Sequence, residues 1–133
     1  MENSLNELKE KVKNFIDDRD WRQFQTTKDL AEDISVEANE LLELFLWKGG
    51  KDADKKAKED KEFMQKIKNE TADVLFGCLA VSDHLNFDLR EAFLSKMKQL
   101  EKRYGIEEVK GKSVKIDEEE WLKRNKDDNL DSK

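Results

Sequence analysis

Thr71-Ala-Asp-Val-Leu-Phe-Gly-Cys-Leu-Ala-Val81, preceded by Glu70, is the stretch on which the fold turns. Asp73 is its one charged residue, in a chain where 44% of residues are charged and 36% are hydrophobic. Phe63, Ile67, Val74, Cys78, Val81 and Leu85 recur at helical spacing, which makes the stretch one face of an amphipathic helix and not a strand. On that helix Glu70 and Asp73 lie one turn apart at the edge of the apolar arc, Glu70 between Phe63 and Gly77, Asp73 between Gly77 and Ala80. A carboxylate set against a core is costly unless something compensates it. Gly77 disfavours a helix by about 1 kcal/mol relative to alanine, and space beside the two acids is the reason the sequence offers for keeping it.

Outward from this segment the same period holds and strand alternation is absent. There is no proline, and glycine occurs five times. Leu5, Leu8, Val12, Phe15 and Ile16 mark a helix over about residues 4–18. An aromatic turn follows, Asp17-Asp-Arg-Asp-Trp-Arg-Gln-Phe24. Thr26 or Thr27 is placed to cap a second helix, with Asp29 in its first turn, running to about Lys48 and stopping at Gly49-Gly50. Residues 49–60 read as a solvated connector or a frayed helix start, about 61–84 as the third helix, Asn86-Phe-Asp88 as a turn, and about 89–103 as a fourth helix ended by Tyr104-Gly105. The expectation is an all-α, four-helix bundle-like protomer over residues 1–105, with a charged, mobile or partner-dependent tail over 106–133.

The second helix carries another acid pair at the same offset. Glu37 falls between Leu41 and Leu44 on the helical wheel and Glu40 between Leu44 and Trp47, whereas Glu32, Asn39 and Glu43 fall on the far side. Residues three apart on a helix hold their Cβ atoms about 5–6 Å apart, so two facing pairs make a cage of oxygen ligands. Such a hard cage suits Mg2+, or Mn2+ in its place, and Mg2+ keeps positions for water and substrate phosphates. That points to phosphoryl or nucleotidyl chemistry. On the residues alone a second reading stands beside it: the four acids pair with lysines of neighbouring helices, and the chain is a non-catalytic helical adaptor. A di-iron bundle requires Glu-x-x-His pairs, and the single histidine, His84, follows Val81 by three.

Composition narrows the partners. A net charge of −6 argues against a nucleic-acid polymer, whose footprint is basic, but leaves a nucleotide open because a metal reverses the local sign. Val74 to Val81 is the longest uncharged apolar run, too short for a bilayer, so no membrane partner is expected. The lone Cys78 fits a reducing cytoplasm.

Taken together, Glu37-x-x-Glu40, a gap of 29 residues and Glu70-x-x-Asp73 resemble the metal motif of the MazG-like and dCTP pyrophosphatase superfamily of all-α nucleotide pyrophosphohydrolases. Arg19-Asp-Trp-Arg-Gln-Phe24, Ser35 through Lys48, Glu70 through Leu75, and Ser95-Lys-Met97 through Arg103-Tyr104 resemble that family in order, covering about residues 5–105. The resemblance implies hydrolysis of (deoxy)nucleoside triphosphates to monophosphate and pyrophosphate, Mg2+ on the four carboxylates, and a homodimer or homotetramer. Glu37, Glu40, Glu70 and Asp73 match the catalytic metal ligands. Trp21 and Trp47 match aromatics that enclose the base in the dCTP-preferring branch, although both would also serve as core or interface residues. Lys48, Lys96, Arg103 and Tyr104 match positions near the phosphates or the pocket rim. Gln25 stands where relatives often have histidine, Gly77 replaces a tyrosine and Leu100 an asparagine. These departures fall on base recognition and leave the metal chemistry intact. Phe15, Phe45, Phe63, Phe76 and Phe93 read as packing.

Overall fold

The computed structural model describes residues 4–126. Among them all regular structure is helical: α1 Leu5–Asp18, a 3-10 turn Arg22–Phe24, α2 Thr27–Glu43, α3 Gly50–Glu59, α4 Lys61–His84, α5 Leu89–Arg103, α6 Ile106–Val109 and α7 Glu118–Asn125. The chain divides into two compact units, Met1–Leu89 and Arg90–Lys133.

In the first unit α4 is the central rod, packed most extensively by α2 and also by α1 and α3. Its core joins Val12 and Ile16 of α1, Leu30 of α2, and Leu79 and Ala80 of α4, with Leu5, Leu8, Val81 and Leu89 against them. The helices begin where their caps dictate. Ser4 and Glu7 close a reciprocal capping box on α1, Thr26 and Asp29 do the same on α2, and the Asp60 side chain accepts from Phe63 N–H at the start of α4.

Two elements depart from the sequence expectation. The second helix ends at Glu43 instead of about Lys48. Beyond it the backbone tightens into three-residue hydrogen bonds, Phe45 N–H to Leu42 O at 3.0 Å and Lys48 N–H to Phe45 O at 3.1 Å, and Trp47 adopts a left-handed φ of 64°. The tightened turn sets Phe45 edge-on to Phe63 of α4, ring centroids 5.8 Å apart. The left-handed residue that closes this turn is therefore a tryptophan ahead of the two glycines, which no residue-type rule anticipates. Residues 50–59, read as a connector or frayed start, are a full helix. It holds because Ala53 is buried, in a helix that packs on α4.

In the second unit, α5 and α7 are linked by a segment whose Ile116 N–H donates to the Tyr104 hydroxyl at 3.1 Å. The expected tail thus includes α6 and α7 among the described residues; residues 127–133 lie outside them. No described helix is long and apolar enough to cross a membrane.

Candidate functional site

The close approach of α2 and α4 brings the two acid pairs into register. Glu37, Glu70 and Asp73 each offer a carboxylate oxygen, and these oxygens all lie within 4.8 Å of one another. Glu40 stands at the edge, close enough for its charge to act on the Glu37 and Glu70 carboxyls. Glu37 and Glu70 are half-buried, and each buries its Oε2 without a hydrogen-bond partner. Burial first, then the nearness and charge of Glu40 and the charges of Asp73 and Glu70, hold the Glu37 carboxyl above its ordinary range. Burial again leads for Glu70, followed by the charges of Glu40, Asp73 and Glu43. Glu43, read from the helical wheel as far-side, is therefore within the field of the cluster.

Asp17, Asp83, Glu32, Glu118 and Glu120 make ion pairs elsewhere, and among the described residues no ion pair reaches these four acids. Crowded carboxylates with orphaned buried oxygens and no ammonium or guanidinium among them are the donor set that a hard divalent cation satisfies. The residues present fit such an ion.

Next to the acids is a cavity of about 270 Å3, with Gln25, Asp33, Glu37, Asp73 and Phe76 among its walls and Gly77 in its lining. Gln25 is brought there by the 3-10 turn that ends at Phe24, its N–H donating to Arg22 O at 3.1 Å. Arg22 fastens that turn to two helices: Nε donates to Asp17 Oδ1 at 2.7 Å and Nη2 to Asp83 Oδ2 at 2.7 Å. Trp21 lies edge-on to Phe15, which lies edge-on to Phe76, both at 5.7 Å between centroids, so one face of the turn rests on an aromatic row that ends in the cavity wall. Asp33 and Phe76 were missed as lining residues. Their signal was available, because Asp33 precedes Glu37 by one helical turn and Phe76 follows Asp73 by three residues.

The remaining sequence-predicted residues are distributed differently. Trp47 is fully exposed, at 101% relative accessibility, and Lys48 holds its ammonium 5.7 Å from the Phe63 ring. In the second unit, Lys96 and Arg103 both face Glu118, and Tyr104 holds Ile116. Gly77 has a reason besides space for a ligand: a Cβ there would meet Ile34 of α2.

The MazG-like family model matches residues 33–123. The dCTP pyrophosphatase 1 of Rattus norvegicus is 31% identical over 114 residues, covering 86% of this chain and 66% of that protein. Its Homo sapiens counterpart is 30% identical over 117 residues, covering 88% and 68%. The chain thus spans about two thirds of the length of these relatives. The crystal structure of a pyrophosphatase from Archaeoglobus fulgidus superposes with a TM-score of 0.67 at 34% identity, over 75% of this chain and 91% of that one.

Proposed function

This chain belongs to the MazG-like family, and on that premise we propose that it is a nucleoside triphosphate pyrophosphohydrolase, using Mg2+, with Mn2+ as a substitute, to convert (deoxy)nucleoside triphosphates to monophosphate and pyrophosphate. The observation that carries the reading is the convergence of Glu37, Glu70 and Asp73 oxygens within 4.8 Å, with Oε2 of Glu37 and Glu70 buried and unpartnered. Glu37, Glu40, Glu70 and Asp73 would hold the cation. Bound there, it supplies neutralisation of the triphosphate charge and activation of water.

The chain's own groups do the rest. Glu40, exposed at the rim, accepts the proton of the attacking water. The oxygen of that water bonds to the α-phosphorus as the bond to the bridging oxygen breaks, and pyrophosphate leaves. The cavity beside the acids accepts the base, with the Gln25 amide in its wall as polar reader; the Trp21 and Trp47 rings, exposed outside that lining, are assigned as stacking surfaces. The named mammalian relatives support a dCTP-like substrate. Lys48, Lys96, Arg103 and Tyr104 are assigned to phosphate contacts. Exposed apolar residues on α2 and the turn after it, including Val36, Leu42, Leu46 and Trp47, support assembly as a homodimer or homotetramer. The working domain is assigned to residues 1–105, with 106–133 as a tail, in a cytoplasmic protein that maintains the nucleotide pool.

The test is a pyrophosphate-release screen with Mg2+ over the common, methylated and oxidised nucleoside triphosphates. Release from at least one, abolished by a chelator, is expected. Silence across the panel sinks the hydrolase reading and returns the chain to the adaptor class.

A further inference from the structure

Arg103 is nine-tenths buried, yet its Nε and Nη1 donate to nothing. The nearest anion is Glu118, whose Oε1 is 3.5 Å from Arg103 Nη1, too far for a hydrogen bond. The same oxygen takes the Lys96 ammonium in a close ion pair. A cavity of about 330 Å3 opens beside Arg103, lined also by Tyr104, Lys115, Asp117, Glu118 and Glu119, with Lys96 reaching the shared Glu118 oxygen from outside that lining. One carboxylate oxygen is therefore shared between two cations and satisfies one of them. A tetrahedral anion with three terminal oxygens would take Lys96 with one and the guanidinium fork with the others, and bidentate charge-assisted pairing of that kind is the stronger arrangement.

Glu118 reaches this position because the chain folds back. Tyr104 at the end of α5 receives Ile116 N–H, and Asp117 caps α7 by accepting from Glu120 N–H at 2.8 Å, so the carboxylate next to that cap returns over α5. Lys96 first, by its hydrogen bond, and Arg103 through its charge, hold the Glu118 carboxyl below its ordinary range, so it is fully charged at neutral pH.

We propose that Glu118 occupies the phosphate-contact position of Lys96 and Arg103 as an internal competitor which phosphate oxygens displace. The device rests on the assignment of Lys96 and Arg103 to phosphate contacts made above, and sets a threshold on it: polyphosphate binds only by expelling Glu118, and α7 is released as it does. The chemistry is common to a nucleotide's phosphates and to free phosphate or pyrophosphate.

The experiment is calorimetric titration of the full-length protein in chelator with inorganic pyrophosphate, inorganic phosphate and an unphosphorylated nucleoside. Glu118→Gln is expected to bind pyrophosphate about tenfold more tightly than wild type, with phosphate improving in parallel and the nucleoside unmoved. Pyrophosphate gaining without phosphate would place a polyphosphate, and not a single phosphoryl group, in the site. Glu32→Gln, which removes the same charge from an exposed pair with Lys28, leaves affinity unchanged. Arg103→Lys in the Glu118→Gln background keeps the charge, loses the fork and erases most of the gain. Equal or weaker binding by Glu118→Gln, or a gain that survives Arg103→Lys, overturns the proposal. Pyrophosphate release with no change in affinity fells this device alone; a change in affinity without release from any nucleotide fells the hydrolase reading alone.

Discussion

Gly77 of α4 lies against Ile34 of α2 so closely that a Cβ built on the glycine falls 2.6 Å from Ile34 Cγ1. The two acid pairs face each other across this same contact between helices, so the approach that makes the cluster is set by the absence of one methyl group. Gly77→Ala recovers about 1 kcal/mol of helix propensity but forces the helices apart or Ile34 out of its rotamer, at about 1–3 kcal/mol. The expected result is a lower Tm together with weaker cation binding, read by thermal melts with and without Mg2+. Ile34→Ala, which removes the opposing Cγ1, restores part of the cation response in the double variant, and a double-mutant cycle measures the coupling.

The sequence was most legible where one residue type leaves few choices. The apolar period over 63–85 places α4, and the offsets of Glu37 with Glu40 and Glu70 with Asp73 place the cluster, because a helix puts residues three apart on one face. It was least legible where tertiary contact overrides type. Trp47, with its large β-carbon substituent, is a poor candidate for left-handed backbone, yet it ends the tightened turn after α2 where Gly49 or Gly50 was the natural terminator. The helical character of 50–59 was hidden by its charge, because only Ala53 is buried and the rest is solvated. Asp33 entered the cavity wall unseen because its one signal, a position one helical turn before Glu37, gains meaning only once α4 is known to lie across the groove.

Glu70→Gln and Asp73→Asn are expected to abolish pyrophosphate release while leaving helical circular dichroism unchanged. Each removes a negative charge from a site where like charges already crowd Glu37 and Glu70, so the metal-free melting temperature rises in both variants. Activity at the wild-type level in either one removes the acids from the mechanism.

Mg2+ raises the melting temperature of the wild-type protein by mass action, with about 2.7 kcal/mol gained at a hundredfold excess over Kd. A chelator reverses it. The response is absent in Glu37→Gln combined with Glu70→Gln, which keeps the volume of both side chains and removes their charge. A protein that used its acids only for structure would melt at the same temperature in both buffers.

Asp17 gives the acid limb of stability. Its hydrogen bond from Arg22 leads in holding its carboxyl below the ordinary range. A lowered folded-state value means that the stabilisation is complete above the unfolded carboxylate pKa of about 3.9 and is lost as pH falls through the folded value. Asp17→Asn is expected to flatten the fall in Tm below about pH 4. Because Arg22 also fixes the turn that carries Gln25, the same variant raises KM for nucleotide with little change in kcat.

Trp47 separates binding from folding. Its side chain is fully exposed and its backbone sits at a φ of 64°, a region that costs an L-residue about 1–2 kcal/mol and glycine almost nothing. An exposed indole adds no core burial to offset that strain, so Trp47→Gly is expected to raise the stability of the protomer by about 0.5–1 kcal/mol. If the ring stacks on the base, the same variant raises KM for the preferred nucleotide and narrows the difference between bases, because stacking is worth about 1–3 kcal/mol per base. If the ring is instead covered by a second copy of the chain, stability falls in a concentration-dependent way and the oligomer seen by light scattering dissociates. A stabilised variant with unaltered KM and unaltered assembly would remove Trp47 from both roles.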